Sequence, residues 1–468
     1  MGAVASSVYL SWWLQADRIL SPWLLPLASL VLGYVFVQIY CAWYLYLRID
    51  APAPIAPEAG LTVDVFVPVY DEPYELVSRS LAAAIAIRYP HRTYLLDDAR
   101  DARFAALARS LGVGYLTRVG NGHAKAGNVN AALAHTDGEF VAIFDVDHVP
   151  EPDFLDAALG YFQDPSVGFV QSGLAFHNHY ESIVARAAAG QAYNVYGPTS
   201  MGMYGCGAAP IWGSHCTFRR AALRSIGGHQ TGLTEDLHTA LRLHAAGWRS
   251  VFVPTLHAAG LVPADLLAFT LQQFKWARGT FEVLLTVYPR LWHALRPRQN
   301  LAYLVRLTYY LVGPVFLLHA GAALLVLYFG TRVMRADFAE YLIRAAPLAV
   351  LALAVRHVTT RFWHQRREAV RIEWRGYALA FAFWPVYTLA FLCALLRIPA
   401  WHIPTPKERR TSRQLHVALP QFVLIALLLG AIAWTLPHAR GFPDAVVMLF
   451  AFVAAGLQVT AVYAALRP

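Results

Sequence analysis

From Leu20 to Leu47 the chain carries no charged residue, and Asp17/Arg18 and Arg48/Asp50 bracket the run. A bilayer span needs about 20 apolar residues, so this stretch reads as a membrane-crossing helix. The residues ahead of it show no basic cluster and no small-residue cleavage site, so it is expected to stay in place rather than be removed as a signal peptide. Further apolar stretches follow at about 303–329, 339–358, 377–396, 416–436 and 444–465, the second of them carrying Arg344. Composition agrees: 57% of the 468 residues are hydrophobic and 14% charged, against about 25% charged in soluble domains. A disordered chain is excluded, and a wholly soluble one is not expected. The net charge of +9 sits in arginines beside apolar segments, which points to a membrane surface and not to nucleic acid. Cys41, Cys206, Cys216 and Cys393 lie too far apart for a metal-ligand spacing, and no disulfide framework is expected.

Charge placement gives the topology. Arg361, Arg366, Arg367, Arg371 and Arg375 precede the 377–396 segment, and Arg397, Lys407, Arg409, Arg410 and Arg413 follow it. Basic loops mark the cytoplasmic side, so both ends of that segment belong on one side. It is therefore expected to lie in the interface or re-enter, leaving five true spans with the polar region and the C-terminus inside. Arg332 and Arg335 then fall outside, and six spans is the alternative. The organisation expected is an N-terminal span (1–50), a polar domain (60–260), amphipathic interface helices (261–300) and a membrane region (301–468).

Between Val63 and Pro254 short β-rich runs alternate with helical stretches, the pattern of a parallel or mostly parallel sheet wrapped by helices. Strands are expected at Val63–Val69, Thr93–Leu96, Val113–Leu116, Phe140–Phe144, Val167–Gln171 and Ser250–Val253. Ligands bind outside the carboxyl ends of such strands, and acidic residues gather there: Glu72, Asp97, Asp98, Asp145 and Asp147. Asp145 and Asp147 could share one hard cation, Mg²⁺ or Mn²⁺, with His148 as a further ligand. Taken alone, a D-x-D of this kind is more simply a solvated turn capping the next helix.

Three further motifs carry chemistry. Lys125 follows Asn121-Gly122-His123 and opens a helix, where an anion is welcome and a lysine adds a point charge for phosphate. Thr234-Glu235-Asp236 starts another helix, either as N-cap and acidic first turn or with one carboxylate as general base. Gln272, Lys275, Trp276 and Arg278 lie on an amphipathic segment that could equally be an interfacial helix with snorkelling cations. Trp276 suits stacking on a sugar ring.

In order, VDVFVPVYDEP (63–73), LLDD (95–98), HAKAGNVNAAL (123–133), FDVDHVPEPDF (144–154), TEDLHTALRLHAAGW (234–248), QQFKWARG (272–279) and IPTPKE (403–408) resemble family 2 processive glycosyltransferases of the cellulose synthase type. The resemblance covers roughly residues 60–410. It implies an α/β GT-A fold, Rossmann-like, inserted between transmembrane helices that form a channel in the bacterial inner membrane, with the catalytic domain cytoplasmic. By position, Pro68, Tyr70, Glu72 and Asp97 would hold uridine, with Asp98 and Lys125 near the nucleotide and its phosphates. Asp145 and Asp147, with His148, would bind Mg²⁺ or Mn²⁺ on the diphosphate. Asp236 would be the base, with Glu235 beside it; Gln272, Lys275 and Arg278 would face the diphosphate; Trp276 and Thr234 would meet the acceptor. Segment 377–396 and loop 397–413 resemble an interface helix and gating loop.

The expected reaction is transfer from a UDP-sugar, UDP-glucose favoured, to a growing β-linked polysaccharide, with membrane lipids around the channel and an accessory subunit for export as a further partner. Two other readings are a non-processive transferase acting on a lipid acceptor and a catalytically silent channel partner. The family's Q-x-x-R-W has arginine where this chain has Lys275. Lys125, Lys275 and Lys407 are its only lysines, one in each of three motifs that would meet the diphosphate.

Overall fold

Alternation along Val63–Val69 (β1) sends its side chains into two different cores. Val65 and Val67 pack with Leu81, Phe104 and Leu155, whereas Phe66 packs with Val129, Leu223 and Leu243 on the opposite face. A strand covered on both faces needs a helical layer on each side. Helices Tyr74–Ile85, Ala102–Leu111 and Phe154–Leu159 supply one layer, and Ala124–His135, Arg220–Ser225 and Glu235–Ala245 the other. The computed structural model describes residues 1–335, 338–360, 374–399, 406, 409–438 and 442–467.

The other strands are Arg92–Asp97 (β2), Gly114–Leu116 (β3), Phe140–Ile143 (β4), Val149–Pro150 (β5), Val167–Phe176 (β6), Cys216–Arg219 (β7) and Arg249–Gly260 (β8). They form one sheet in the order β3-β2-β1-β4-β7-β6-β8-β5. β1 runs parallel to β2 and β4, and β2 to β3, so their carboxyl ends share an edge. The sheet is mixed rather than nearly parallel, because β7 runs antiparallel between β4 and β6, and β5 antiparallel to β8. Six strands correspond to the runs expected from sequence, with β3 and β4 each one residue shorter than expected, while β5 and β7 do not correspond to any of them. Inside β1, Asp64 is fully buried; its Oδ2 accepts from Arg220 (2.6 Å) and from the Gly138 amide (2.8 Å), which binds β1 to the far helical layer.

Five helices among the described residues are long and apolar enough to cross a membrane: Leu25–Tyr46, Pro297–Phe329, Ala339–Thr359, Leu415–Thr435 and Asp444–Leu466. The 377–396 stretch takes another form. Helices Trp374–Ala382 and Trp384–Leu395 meet at 49°, a broken span or a re-entrant loop, with Pro385 in the first turn of the second helix where it cannot continue the first. Arg344 is accommodated by pairing with Glu340 (3.2 Å), which also takes Arg18 (2.7 Å). Arg335 donates its amide to the Arg18 carbonyl, so the 331–335 loop sits beside the start of the first span.

A buried polar chain ties the sheet domain to the membrane helices. Gln191 Nε2 donates to the hydroxyls of Tyr309 (3.0 Å) and Tyr387 (3.3 Å), and Tyr387 donates to Gln273 Oε1 (2.9 Å). Gly313 lets its helix approach Tyr387 so closely that a Cβ there would overlap the tyrosine.

Candidate active site

The register of β1 on β2 sets Val69 beside Asp97 and brings both strand ends to one rim. After β1, the Tyr70 amide donates to Glu72 Oε2 (2.8 Å), which turns the loop. Asp97 is buried and spent on backbone: it accepts from the amides of Ala99, Arg100 and Asp101 and from the Tyr115 hydroxyl (2.7 Å). Its part is to shape the turn that presents Asp98. Asp98 is held by a two-pronged contact with Arg118, both bonds at 2.7 Å. The same guanidinium donates to the carbonyls of Gly122 and Ala124, so one side chain fixes the strand end and the loop before helix Ala124–His135. His123 and Ala124 adopt left-handed φ of 63° and 44°, an uncommon conformation for residues with a Cβ.

That loop delivers Lys125 to the rim, where its ammonium contacts Asp145 and the Gly213 carbonyl (2.6 Å). Burial works against the charge, but Asp145, Glu235 and Asp236 outweigh it and hold the Lys125 pKa above its ordinary value. Asp147 is buried beside Asp145, past the end of β4. His148, expected as a further ligand, sets its Nδ1 2.6 Å from His215 Nε2, and Gly260 packs against the ring. No group of three or more His, Cys, Asp or Glu suited to a metal occurs among the described residues. Asp145 and Asp147 nevertheless offer hard oxygens, which fit a cation that completes its shell with phosphate and water.

Helix Glu235–Ala245 brings Asp236 to the opposite wall, near Gly213 and Lys125. Burial, and then the charge of Glu235, push the Asp236 pKa up to about 6. Glu235 is also raised by burial, with Lys125 and Lys275 opposing. Thr234 occupies the N-cap position without making the side-chain cap bond; it packs against Gly279, where any side chain would collide.

Helix Leu266–Glu282 closes the site. Asp265 caps it through the Ala268 amide and also accepts from the Arg410 amide and Gln414 Nε2. Arg278, expected to face the diphosphate, bonds Glu282 (2.9 Å) and the Ile398 carbonyl (3.0 Å). The two ends of segment 399–409 are thus held by opposite ends of this helix. Lys407 and all of IPTPKE except Pro406 lie outside the described residues.

A cavity of about 2020 Å³ joins these groups. Every residue proposed from sequence lines it except Asp97. The cavity continues from the carboxylates past Asp236 and Trp276 to Tyr196, Tyr309 and Tyr310 between the membrane helices. Residues that the motifs did not single out also shape it. Arg118 has no local signal, being coupled to Asp98 across 20 residues. Trp212 is packed edge-on by Tyr196, ring centroids 4.8 Å apart, and covered by Arg306 at 4.9 Å; the aromatic in Ile211-Trp212-Gly213 was its only trace.

Comparison with known proteins agrees with this arrangement. Residues 59–279 match the model of glycosyltransferase-like family 2, and residues 224–343 match that of cellulose synthase. Cellulose synthase 1 of Komagataeibacter xylinus is 31% identical over 87% of this chain and 26% of its own length. The UDP-forming cellulose synthase catalytic subunit of Pseudomonas fluorescens is 35% identical over 66% of this chain and 43% of its own length. This chain therefore spans less than half of each of these relatives. Among solved structures, the mannosyltransferase PcManGT from Pyrobaculum calidifontis, in complex with GDP-Man and Mn²⁺, superimposes with a TM-score of 0.55 at 19% identity, covering 78% of this chain and 97% of the other. That likeness shows a GT-A-like fold.

Proposed function

We propose that this chain, a homologue of bacterial cellulose synthase catalytic subunits over most of its length, is a membrane-embedded inverting glycosyltransferase. It takes the sugar of a UDP-sugar, UDP-glucose favoured, onto the end of a growing β-linked glucan and passes the product toward the membrane helices. The observation that carries this reading is the single cavity running from Asp145 and Asp147 past Asp236 to the tyrosines between the spans. The sheet domain lies on the cytoplasmic face of the bacterial inner membrane, as the basic flanks of segment 377–396 require.

Pro68, Tyr70 and Glu72 border the uridine, and Asp98 with its arginine sets the floor beneath it. Asp145 and Asp147 would hold a divalent cation, Mg²⁺ or Mn²⁺, which would supply positive charge against the departing diphosphate. Lys125, already desolvated, adds a fixed positive charge, and Gln272 and Lys275 face it from helix Leu266–Glu282. Trp276 stacks on the terminal acceptor sugar. Asp236 takes the proton of the acceptor hydroxyl as its oxygen bonds to the anomeric carbon, and the bond to the diphosphate breaks with its electron pair leaving on UDP. A carboxylate with a pKa of about 6 is a stronger base than an ordinary aspartate and still ionised at neutral pH.

The test is to incubate the purified chain with Mn²⁺ or Mg²⁺ and a panel of UDP-sugars, measuring UDP release and product length. UDP-glucose should release UDP and give a polymer degraded by β-glucanase. No release with any UDP-sugar, or products stopping at one or two sugars, would overturn the reading.

A further inference from the structure

Two arginines in the membrane half of the cavity lack the partners that the other membrane arginines have. Arg18 and Arg344 share Glu340, and Arg332 faces Asp444 at 3.4 Å. Arg306 and Arg356 instead line the cavity, and among the described residues no carboxylate pairs with either. Arg306 lies over the Trp212 ring and bonds to Tyr310. Arg356 lies 3.9 Å from the Tyr377 ring centroid. Its Nε and the Tyr377 hydroxyl are both buried without a hydrogen-bond partner. Both arginines line the cavity together with Tyr309, Tyr310 and Tyr377.

A ring face stabilises a guanidinium but accepts none of its five N–H donors in the plane. Unpaired cations at membrane depth are costly and mark ligand sites. A neutral glucan needs stacking surfaces, which the tyrosines supply, and has no use for two uncompensated cations. An anion with several acceptor oxygens satisfies both the charge and the orphaned donors, and phosphate matches the guanidinium fork.

The cavity wall also shows how such a group arrives. On this side it is formed by Gln38, Ile39 and Ala42 of the first span and Ala352 and Leu353 of helix Phe338–Thr360. Only 6% of the most apolar window of each of these two helices is buried, so both face lipid over most of their length. We propose that the membrane half of this cavity binds the phosphate headgroup of a lipid, which enters between these two helices and seats on Arg306, Arg356 and Tyr377. This site shares one cavity with the donor groups and does not depend on which sugar is transferred.

The test uses the purified full chain in detergent, titrated with dioctanoyl phosphatidic acid and followed by native mass spectrometry. Dioctanoylglycerol and inorganic phosphate are the comparison probes. Phosphatidic acid should bind, R306Q and R356Q should each weaken it about tenfold, and Y377F by a smaller factor. Unchanged affinity in both arginine variants, or equal binding of dioctanoylglycerol, would overturn the site. Equal binding of inorganic phosphate would overturn the lipid as its source. A diazirine-bearing phosphatidic acid reads the site in the unmodified protein: crosslinks should map to Ile39, Ala42, Ala352 or Leu353, and labelling confined elsewhere would also overturn it.

Discussion

The two ends of the cavity are built on opposite plans. At the sheet edge every charged group described is anchored: Asp97 by three amides and a phenol, Asp98 by Arg118, and Lys125 by Asp145 and a carbonyl. Between the membrane helices the charges rest on ring faces, and the walls include Tyr196, Tyr309 and Tyr310, with the Tyr309 hydroxyl accepting from Gln191. The first plan holds one fixed ligand at a high cost in reorganisation if anything shifts. The second presents flat, uniform surfaces over which a chain of similar units can move. In the proposed reading, donor recognition and product passage thus draw on different physics within one continuous space.

Four substitutions or conditions test this contrast. Asp236→Asn, which keeps shape and removes the base, should lower glycosyl transfer by roughly a thousandfold while UDP binding by calorimetry stays within about twofold of the unaltered protein; full activity would remove Asp236 from the mechanism. Asp147→Asn should cost about a hundredfold in turnover and raise the Mn²⁺ concentration needed for half-maximal UDP release. Lowering the pH should reduce kcat/KM about tenfold per unit below about 6, because the raised pKa of Asp236 leaves it protonated there. An ordinary aspartate would stay ionised to about pH 4, so a flat profile down to pH 4.5 would reject the assignment. Arg118→Gln releases Asp98 and the 120–124 loop together and should raise KM for the UDP-sugar about tenfold with little change in kcat; an effect on kcat alone would place Arg118 in the chemical step.

Sequence was informative where one physical constraint acted alone. The apolar runs declared the five long helices because lipid tolerates little else, and the basic residues on both flanks of 377–396 set that segment apart before its 49° bend was visible. The acidic rim was legible because parallel strands bring their carboxyl ends together. Strand β7 escaped because four residues ending in arginine show no alternation, and its place between β4 and β6 is fixed by pairing alone. Asp97 and Asp98 look equivalent in the sequence, but the turn consumes the first and presents the second. Arg278, expected to face the diphosphate, and His148, expected as a further metal ligand, both line the cavity, and each also has a protein partner, Glu282 with the Ile398 carbonyl in one case and His215 in the other.

The bonds from Gln191 through Tyr387 to Gln273 and Tyr309 bear on how the protein can be taken apart. Excising residues 60–260 would strand Gln191 opposite nothing and bare the apolar faces of helix Ile183–Asn194 that pack on Leu379, Phe383 and Tyr387. Apolar surface left in water forfeits about 25 cal/mol per Å² of lost burial, which over several side chains is a large share of what an average domain has in reserve. The sheet domain therefore depends on the membrane helices for part of its stability, and a fragment of residues 60–260 is expected to be less stable than the whole chain.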